Sequence, residues 1–600
     1  MRKINRYALF FIISFVAGFS DIASGAENST LDLERIIVVK NKGYPNAYAL
    51  DSNTLKSLSV DSVAQTLSFY PLDLQSRYLK SGVQTDFSLR GSNFQGVLIL
   101  LDGERLNDPQ TGHHNSDLAL TKEDIESIQV MPGVSSSLFG PDAIGGAINI
   151  ILKKPEMKNI VFELEGGSYE SKSGLFSITD KLNNLGFRLS LDRAESNGFR
   201  YDTDYKVFTA NLTSSLELAE GDFNTTLGYN EKEFGAFDFY TPGSNYASKE
   251  WTKTYLLDTG LSLDKDGLII KPNFLWRRHY DKFMLDKTQI RSSYLNHHRT
   301  DVLTPNIYFQ RQLSGLGRFG LGTEYGQERI NSTNLGKHLR PHKSIFMDNT
   351  SDLTSRISEG LSFRWDNFDS FGQVYTGALN LRYSLSENNL FNLGINRSMR
   401  IPSFTELYYN DPTTVGDSNL KAESALGYQF GYEYKKEDLK ACTTIFLRQE
   451  QDMIDWVKHS PSDTKWKVEN ISTADVFGTE TYLKLKINDR LKLDANYTYI
   501  NKYIRTQDLI YKYGPNYIRH LFNAVFTLNL PFGDESLGFT YKQKPNRRGW
   551  FLLNAALSKD LNKNSRIFLK ITNLLNVEYQ EIEGIAQPGR WVEAGLRFDW

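Results

Sequence analysis

The residues best suited to hold a cation lie in the stretch ESNGFRYDTDYK. It contains Glu195, Asn197, Asp202 and Asp204, whose side-chain oxygens are the type of ligand that Ca²⁺ prefers. Because these oxygens fall close together in sequence, they predict a weak calcium site of structural character. An ordinary solvated loop is the alternative, since the same residue types are common on exposed surfaces.

Two pairs of adjacent histidines raise the question of transition-metal binding. They are His113–His114 and His297–His298. Neighbouring side chains of an extended chain point in opposite directions, so we expect neither pair to chelate one ion by itself. The single cysteine, Cys442, cannot form an internal disulfide or a metal cluster, and we interpret it as a small apolar filler. Apart from the candidate calcium ion, we predict no cofactor.

The sequence contains no recognisable catalytic centre. The stretch GPDAIGGA lacks the Lys-Ser/Thr of a phosphate-binding loop and precedes a strand rather than a helix. No nucleophile with a base, and no carboxylate pair in a cleft, is suggested by spacing. The net charge of -2 provides no basic excess for nucleic acid. We therefore expect neither an enzyme nor a nucleic-acid-binding protein.

The N-terminus is typical of an exported protein. The cationic segment MRKINRY is followed by the apolar run ALFFIISFVAGF, which is too short to span a bilayer as a helix. Small residues follow at 23–26, where cleavage would fit. The pattern predicts a signal peptide over residues 1–26, with an uncleaved membrane anchor as the alternative.

Alternation of apolar and polar residues dominates the chain after about residue 160. In YLKLKINDRLKLDANYTYI, Leu483 and Leu485 alternate with Lys484 and Lys486, and the alternation resumes after a turn at 488–489. This period of two predicts a hairpin. Comparable segments recur to the last residue, and short turns alternate with longer polar loops between them.

These features predict an all-β transmembrane barrel of about 22 antiparallel strands in an outer membrane of the Gram-negative type. Export, the abundance of Tyr and Phe, and the alternating short and long connections favour it over a soluble sandwich. Only a closed barrel pairs every backbone polar group of such strands within lipid. The stretch GRWVEAGLRFDW would close the barrel with Phe598 and Trp600 on its lipid face, whereas a soluble edge strand is the alternative.

Residues 50–155 follow a different pattern. The run Val97–Leu101 is continuously apolar and ends at Asp102-Gly103, which predicts a strand buried on both faces and then a tight turn. IESIQVMPG and GGAINIIL predict further short strands. We expect a compact α+β domain with its own core, placed ahead of the barrel.

Several ordered motifs resemble those of TonB-dependent outer-membrane receptors. FSLRGSNFQGVLILLDGERLNDP and IESIQVMPGVSSSLFGPDAIGGAINIIL resemble the plug signatures of that family, and ITNLLNVEYQEIEGIAQPGRWVEAGLRFDW resembles its last strands. The resemblance covers nearly the whole mature chain and looks closest to the cobalamin (vitamin B12) transporter branch. It implies a TonB box and linker over 27–48, a plug over 49–156 inside the lumen, and a barrel over 157–600.

The resemblance implies TonB-dependent active transport of a scarce, bulky solute across the outer membrane. TonB and its inner-membrane, proton-driven motor would act on a short box near the N-terminus. LERIIVVKNK fits such a box, because its β-branched residues can add as a strand to a TonB sheet. A plain first strand of the plug is the alternative. The predicted box comprises Glu34, Arg35, Ile36, Ile37, Val38 and Val39.

The predicted plug apices carry the candidate substrate-binding residues. By resemblance, NDPQTGHHNSD forms an outward-facing plug loop and YLKSGVQTD a second apex. A polar loop that packs on the barrel wall is the alternative. Because these apices hold amides and imidazoles, they favour a cobalamin-type corrinoid as the small-molecule substrate, with a ferric siderophore as the alternative. The candidates are Gln110, His113, His114, Asn115, Ser81 and Gln84.

Other functional classes fit the sequence less well. A passive porin would have neither plug nor TonB box, and a surface adhesin would show longer loops or repeats. The further partners that the resemblance implies are the lipid bilayer, the barrel assembly machinery and a periplasmic binding protein that receives the solute.

Deleting Ile36–Val39 should abolish uptake and leave solute binding intact, because the box transmits energy and does not contact the solute. Uptake and binding of radiolabelled solute by whole cells would be compared for the deletion and the parent. Uptake that survives the deletion would refute the coupling role of the box.

Overall fold

We describe a computed structural model of the chain. The predicted signal peptide (1–26) and TonB box (34–39) lie outside the residues that it describes, so both stay predictions. The described residues are 48–51, 60–133, 136–289, 295–505 and 508–600.

The first part of the chain forms a small mixed domain, the plug. Its strands are β1 (Tyr48–Asp51), β2 (Asp73–Tyr78), β3 (Gln84–Ser88), β4 (Val97–Leu101), β5 (Glu104–Arg105), β6 (Ile125–Pro132) and β7 (Gly146–Leu152). Five of them form one sheet in the order β1-β6-β7-β4-β5, while β2 and β3 pair separately as a hairpin.

The helices within the described residues are short. Among the described residues, none is both long and apolar enough to cross a membrane. The α-helices are Val63–Thr66, Ser136–Phe139 and Phe404–Tyr408, and the 3-10 helices are Leu67–Phe69, Lys80–Gly82, Phe94–Gly96, Gly112–Ser116, Lys122–Asp124 and Ser168–Glu170.

The central plug strand β4 is buried along its whole length. It runs parallel to β7, and its alternate residues enter two different apolar clusters, because both faces of the sheet are covered. Asp102 and Gly103 follow with φ angles of 50° and 96°, which a tight turn requires. The buried strand and turn predicted over 97–103 are therefore confirmed.

The rest of the chain forms the barrel. Among the described residues, twenty-two long strands close on themselves, and the short strands β21 and β26 add to neighbouring strands at the loop end. The strands are β8 (Asn159–Gly167), β9 (Ser171–Leu182), β10 (Leu185–Ser196), β11 (Tyr205–Leu218), β12 (Gly221–Gly235), β13 (Lys249–Lys265), β14 (Leu268–Met284), β15 (Leu295–Leu313), β16 (Gly317–Ser332), β17 (Gly336–Asp352), β18 (Ile357–Phe368), β19 (Gly372–Ser386), β20 (Asn389–Arg400), β21 (Thr414–Val415), β22 (Glu423–Lys436), β23 (Leu439–Lys458), β24 (Trp466–Lys486), β25 (Leu491–Ile504), β26 (Ile510–Tyr511), β27 (His520–Leu530), β28 (Gly533–Gln543), β29 (Trp550–Asn562), β30 (Ser565–Thr572) and β31 (Trp591–Asp599).

The two faces of each strand meet different surroundings. On β22, Leu426, Tyr428 and Phe430 are exposed on the outer surface, while the intervening Gln429 is buried in the lumen. This alternation is the pattern of strands with lipid on one side and a polar interior on the other. The hairpin predicted around 488–489 is confirmed, since β24 and β25 pair antiparallel across that turn.

The two ends of the barrel differ in their connections. Short turns such as 183–184 and 266–267 join the strands at one end, and longer loops such as 236–248 and 573–590 join them at the other. Asn159 begins β8 opposite Thr179, near the short-turn end, so the plug enters the lumen from that end. Short turns mark the periplasmic side of such barrels and long loops the extracellular side.

The barrel closes where β31 pairs with β8. Phe598 lies opposite Phe162 in this ladder, and the backbone N–H of Trp600 donates to the carbonyl of Ile160 over 2.9 Å. The rings of Phe598 and Trp600 stack with centroids 5.5 Å apart on the outer surface. The two aromatic residues therefore lie on the strand that removes the last open edge of the sheet.

Trp600→Ala should reduce the amount of assembled barrel severalfold, because it removes an aromatic pair worth about 0.5–1.5 kcal/mol beyond its buried area. Heat-modifiable barrel in outer-membrane fractions would be measured by gel mobility. Phe430→Ala is the matched control, since it removes an exposed outer aromatic residue from a strand that does not close the barrel. Equal barrel levels in the Trp600 variant and the parent would contradict this role.

Candidate functional site

The apex of the plug is the loop 107–117, which reaches the extracellular half of the barrel and packs on its inner wall. The backbone N–H of Phe404 donates to the carbonyl of Pro109 over 2.8 Å. Gly112 lies against Phe94, and a Cβ atom at Gly112 would stand 2.6 Å from the Phe94 carbonyl oxygen. The loop is therefore held tightly between the plug and the helix Phe404–Tyr408.

Three of the predicted binding residues, Gln110, His114 and Asn115, are buried in this contact. Gln110 Nε2 donates to Asp281 Oδ2 of the barrel wall over 2.8 Å. Asn115 Oδ1 accepts a hydrogen bond from the backbone N–H of Asp108 over 2.9 Å. These side chains pack against the barrel wall, and their role in substrate binding stays a prediction.

The second predicted apex is also buried. Ser81 has a φ angle of 50°, and its hydroxyl group lies 3.2 Å from that of Tyr205. Gln84 accepts a hydrogen bond from Arg77 Nη1 over 3.2 Å and is 3% exposed. Gln84 therefore supports the charged centre of the apex, whereas Ser81 contacts Tyr205 of the barrel wall.

That charged centre consists of Arg77, Asp86 and His113. Arg77 Nη1 and His113 Nδ1 lie 2.8 and 2.7 Å from the two oxygens of Asp86. Burial lowers the pKa of His113 to about 4 despite the attraction of Asp86, so the imidazole is neutral at pH 7. Burial would raise the pKa of Asp86, but His113 and Arg77 lower it to about 2. At neutral pH the Arg77 guanidinium is the charge that keeps Asp86 ionised.

Four rings form an aromatic face above this centre. Phe94 stacks on His113 with centroids 4.1 Å apart, and Tyr513 meets the edge of Phe94 at 5.2 Å. Tyr240 lies 5.9 Å from His113. Sequence analysis identified His113 alone, because the other rings come from a distant plug segment and two barrel loops. The high aromatic content of the sequence did not indicate which Phe and Tyr residues would meet at the apex.

A second group of imidazoles lies between the apex and strands β14 and β15. His114 of the plug meets His279 with ring centroids 4.4 Å apart, and His298 approaches Asp281 within 4.0 Å. One member of each predicted histidine pair thus enters this group, as expected for neighbours that point in opposite directions. Sequence analysis missed His279, Asp281 and Glu250, whose positions depend on strand register.

Buried ion pairs connect the plug to the lumen wall. Each joins a plug side chain to a barrel side chain, so together they hold the plug while leaving its surface polar. Removing one member of the Arg90–Glu480 pair would leave the other buried without a counter-charge. Several of the other residues have a second partner of opposite charge, such as Arg105 with Asp142. The pairs are Arg90–Glu480, Arg105–Glu328, Lys122–Glu163, Arg277–Asp108, Lys232–Asp117 and Arg597–Glu123, with N···O distances between 2.5 and 2.7 Å.

The predicted calcium ligands each have other contacts. Asn197 donates to Glu170 over 2.8 Å, Asp202 pairs with Lys287, and Asp204 lies 4.0 Å from Lys249. Glu195 approaches Arg193 at 3.4 Å. Among the described residues, these carboxylates do not gather into a group of three that could share an ion. Calcium binding here stays a prediction.

Two protein-family comparisons cover most of the chain. Residues 162–574 match the family described as TonB dependent receptor-like, beta-barrel. Residues 40–147 match the TonB-dependent Receptor Plug Domain.

The individual relatives have low sequence identity to this chain, but the alignments cover most of both chains. The chain is 22% identical over 464 residues to the vitamin B12 transporter BtuB of Vibrio vulnificus, an alignment covering 71% of this chain and 70% of the relative. It is 22% identical to the iron-regulated outer membrane virulence protein of Vibrio cholerae, with 85% of each chain covered. A crystal structure of a mutant ferric enterobactin receptor from Pseudomonas aeruginosa matches with a TM-score of 0.77 and 15% identity, covering 93% of this chain and 99% of that one. This last likeness shows the fold.

Glu480→Gln should loosen the plug by about 3–5 kcal/mol, because it leaves the buried Arg90 guanidinium without its counter-charge. Hydrogen–deuterium exchange of the β4 and β7 amides would report the change as faster exchange. Asp475→Asn is the matched control on the same strand, since its pair with Arg505 is exposed and contributes about 0–1 kcal/mol. Equal exchange in both variants would contradict the anchoring role of the Arg90 pair.

Proposed function

Because the chain belongs to the TonB-dependent receptor family and is a TonB-dependent outer-membrane transporter, we propose that its solute is a cobalamin-type corrinoid. TonB would supply the energy through the box at 34–39, and a periplasmic binding protein would receive the solute. The named vitamin B12 transporters among the relatives support this choice of substrate class.

The proposal rests on one observation: three buried carboxylates of the apex are each already paired with a buried cationic side chain. Arg77 holds Asp86, Arg277 holds Asp108, and Lys232 holds Asp117, with all six side chains at most 5% exposed. An anionic ferric siderophore would have to draw one of these cations away from its carboxylate. That change is unfavourable, because it leaves a buried carboxylate unpaired. A solute with little net charge makes no such demand.

The aromatic face provides the contact surface for such a solute. Phe94, His113, Tyr240 and Tyr513 lie together where the plug apex meets the long loops of the barrel. Rings of this kind bury large areas while losing few rotamers, which suits a broad and partly apolar macrocycle. The neutral His113 imidazole adds a hydrogen-bonding group without charge.

A ferric siderophore is the second candidate, and one observation favours it. Lys458 lies 5.0 Å from the ring centroid of Trp466, and Lys512 lies 5.3 Å from that of Tyr513. These lysines are at the extracellular end of the barrel, and their pairing with rings leaves positive charge available to an anion. They could receive an anionic solute before it reached the plug.

The test is equilibrium binding of cyanocobalamin to the purified, detergent-solubilised protein, with and without Ca²⁺. We expect binding in the nanomolar range. Tyr513→Ala should weaken it by about tenfold, equivalent to about 1.4 kcal/mol, because a ring of the contact surface is lost. Tyr325→Ala is the matched control, since Tyr325 is 39% exposed on the outer face of β16.

Ferric enterobactin is the competing probe in the same assay. Tight binding of this probe together with no binding of cyanocobalamin would refute the corrinoid proposal and support the siderophore alternative. Loss of cyanocobalamin binding on calcium removal would support a calcium site at Glu195–Asp204.

A further inference from the structure

We propose that the plug apex and the barrel wall together bind one divalent first-row transition-metal ion, with His114, Glu250, Asp281 and His298 as its ligands. His114 belongs to the plug, and the other three belong to the adjacent strands β13, β14 and β15. The site is independent of the identity of the transported solute.

Strand register brings the three proposed ligands of the barrel wall, Glu250, Asp281 and His298, to the same level along the barrel axis. Asp281 of β14 lies directly opposite His298 of β15 and opposite Thr252 of β13. Glu250 is two residues before Thr252, so it is on the same lumen face and diagonal to Asp281. Directly opposed and diagonal residues on one face of a sheet lie within reach of each other. His114 completes the group from the plug, with Nε2 at 3.4 Å from Asp281 Oδ2.

Within the described residues, imidazole, amide and phenol groups contact the two buried carboxylates of this group, and no lysine or arginine does. Glu250 is 2% exposed and Asp281 is 5% exposed. Within the described parts of the chain, neither has a lysine or arginine nitrogen within 4.0 Å, whereas the neighbouring Asp117 pairs with Lys232. Burying two carboxylates in this way is strongly unfavourable, and a divalent cation between them would offset the cost.

Two buried oxygens without a hydrogen-bond partner belong to side chains at this site. Asp281 Oδ1 and Gln110 Oε1 are buried without a hydrogen-bond partner among the described residues. Both belong to side chains that already contact each other through Gln110 Nε2 and Asp281 Oδ2. Buried oxygens of this kind are rare in folded proteins unless a water molecule or an ion satisfies them.

Both imidazoles are oriented for metal binding. His114 Nδ1 lies 3.4 Å from Asp117, and His298 Nδ1 lies 2.8 Å from Ser332 Oγ. Each ring is therefore anchored through Nδ1, while Nε2 faces Asp281. Metal-binding histidines typically use one nitrogen for such an anchor and the other for the ion.

The ligand types select the class of ion. Two imidazoles with two carboxylates suit Zn²⁺ and neighbouring first-row ions, whereas Ca²⁺ takes six or more oxygens. The ligand atoms of His114, Glu250 and Asp281 lie within 4.8 Å of one another. Bonds of about 2.0–2.2 Å place the ligand atoms of a tetrahedral site about 3.3–3.6 Å apart, so side-chain shifts of up to about 1.5 Å would close the site.

The neighbouring group His114, Asp117 and His279 is a weaker candidate. Asp117 is already held by Lys232 over 2.7 Å and by His279 Nε2 over 2.9 Å. An ion there would be repelled by the Lys232 ammonium group. We therefore assign Asp117 and His279 the supporting role of orienting His114.

The test is isothermal titration of the full-length, EDTA-treated protein in detergent with ZnCl₂, and in parallel with CoCl₂ while visible absorption is recorded. We expect one ion per chain and the absorption bands of nitrogen- and oxygen-ligated Co²⁺. His298→Gln and Asp281→Asn should each weaken Zn²⁺ binding by at least about tenfold and remove the Co²⁺ bands. Far-UV circular dichroism and heat-modifiable mobility would establish that each variant is folded.

His297→Gln is the matched control, because His297 precedes His298 on β15 but is exposed on the other face of the strand. It should bind Zn²⁺ as the parent does. The proposal is overturned if the parent binds no Zn²⁺, or if His297→Gln loses as much affinity as His298→Gln. Cyanocobalamin binding measured on the same variants separates this outcome from failure of the transport proposal.

Discussion

Every backbone N–H and C=O group that crosses lipid has to be paired within the protein, and the rest of the structure depends on this constraint. Strand β31 meets it by pairing with β30 on one side and with β8 on the other, so the sheet has no open edge in the membrane. A barrel of this many strands encloses a lumen wide enough to require a plug. The presence of the plug and the polarity of its surface thus both follow from closure.

The plug and the wall meet through charges because the inner face of the barrel is polar. Pairs such as Arg90–Glu480 and Arg597–Glu123 are buried, while the apolar core of the plug is built around β4 and includes a few wall residues such as Leu256. Water that enters such a contact can hydrate both charges, whereas it could not replace an apolar contact at similar cost. The plug can therefore change its contacts with the wall while its own core remains packed.

Local patterns predicted most of the architecture. The hairpin at 488–489, the buried strand at 97–101 and the barrel of about 22 strands each follow from the period and length of apolar runs, and the family matches agree. Contacts between distant residues could not be predicted in this way. His114 and His298 both approach Asp281, and Phe94 meets Tyr513, only because strand register and plug depth are set by packing across the lumen. For the same reason Gln110 faces the wall.

The position of β1 determines how the plug responds to mechanical force. Among the described residues it is an edge strand that pairs only with β6, with Tyr48 opposite Val130 and Asp51 opposite Ser127. Ile125 begins β6 near the periplasmic end, where Asp124 binds Lys153, so Tyr48 lies at the deeper end of the ladder. A force directed toward the periplasm and applied at Tyr48 would break the hydrogen bonds between β1 and β6 one after another rather than all at once. The sheet would unzip from this edge at a low force, while β4 and β7 behind it stay joined.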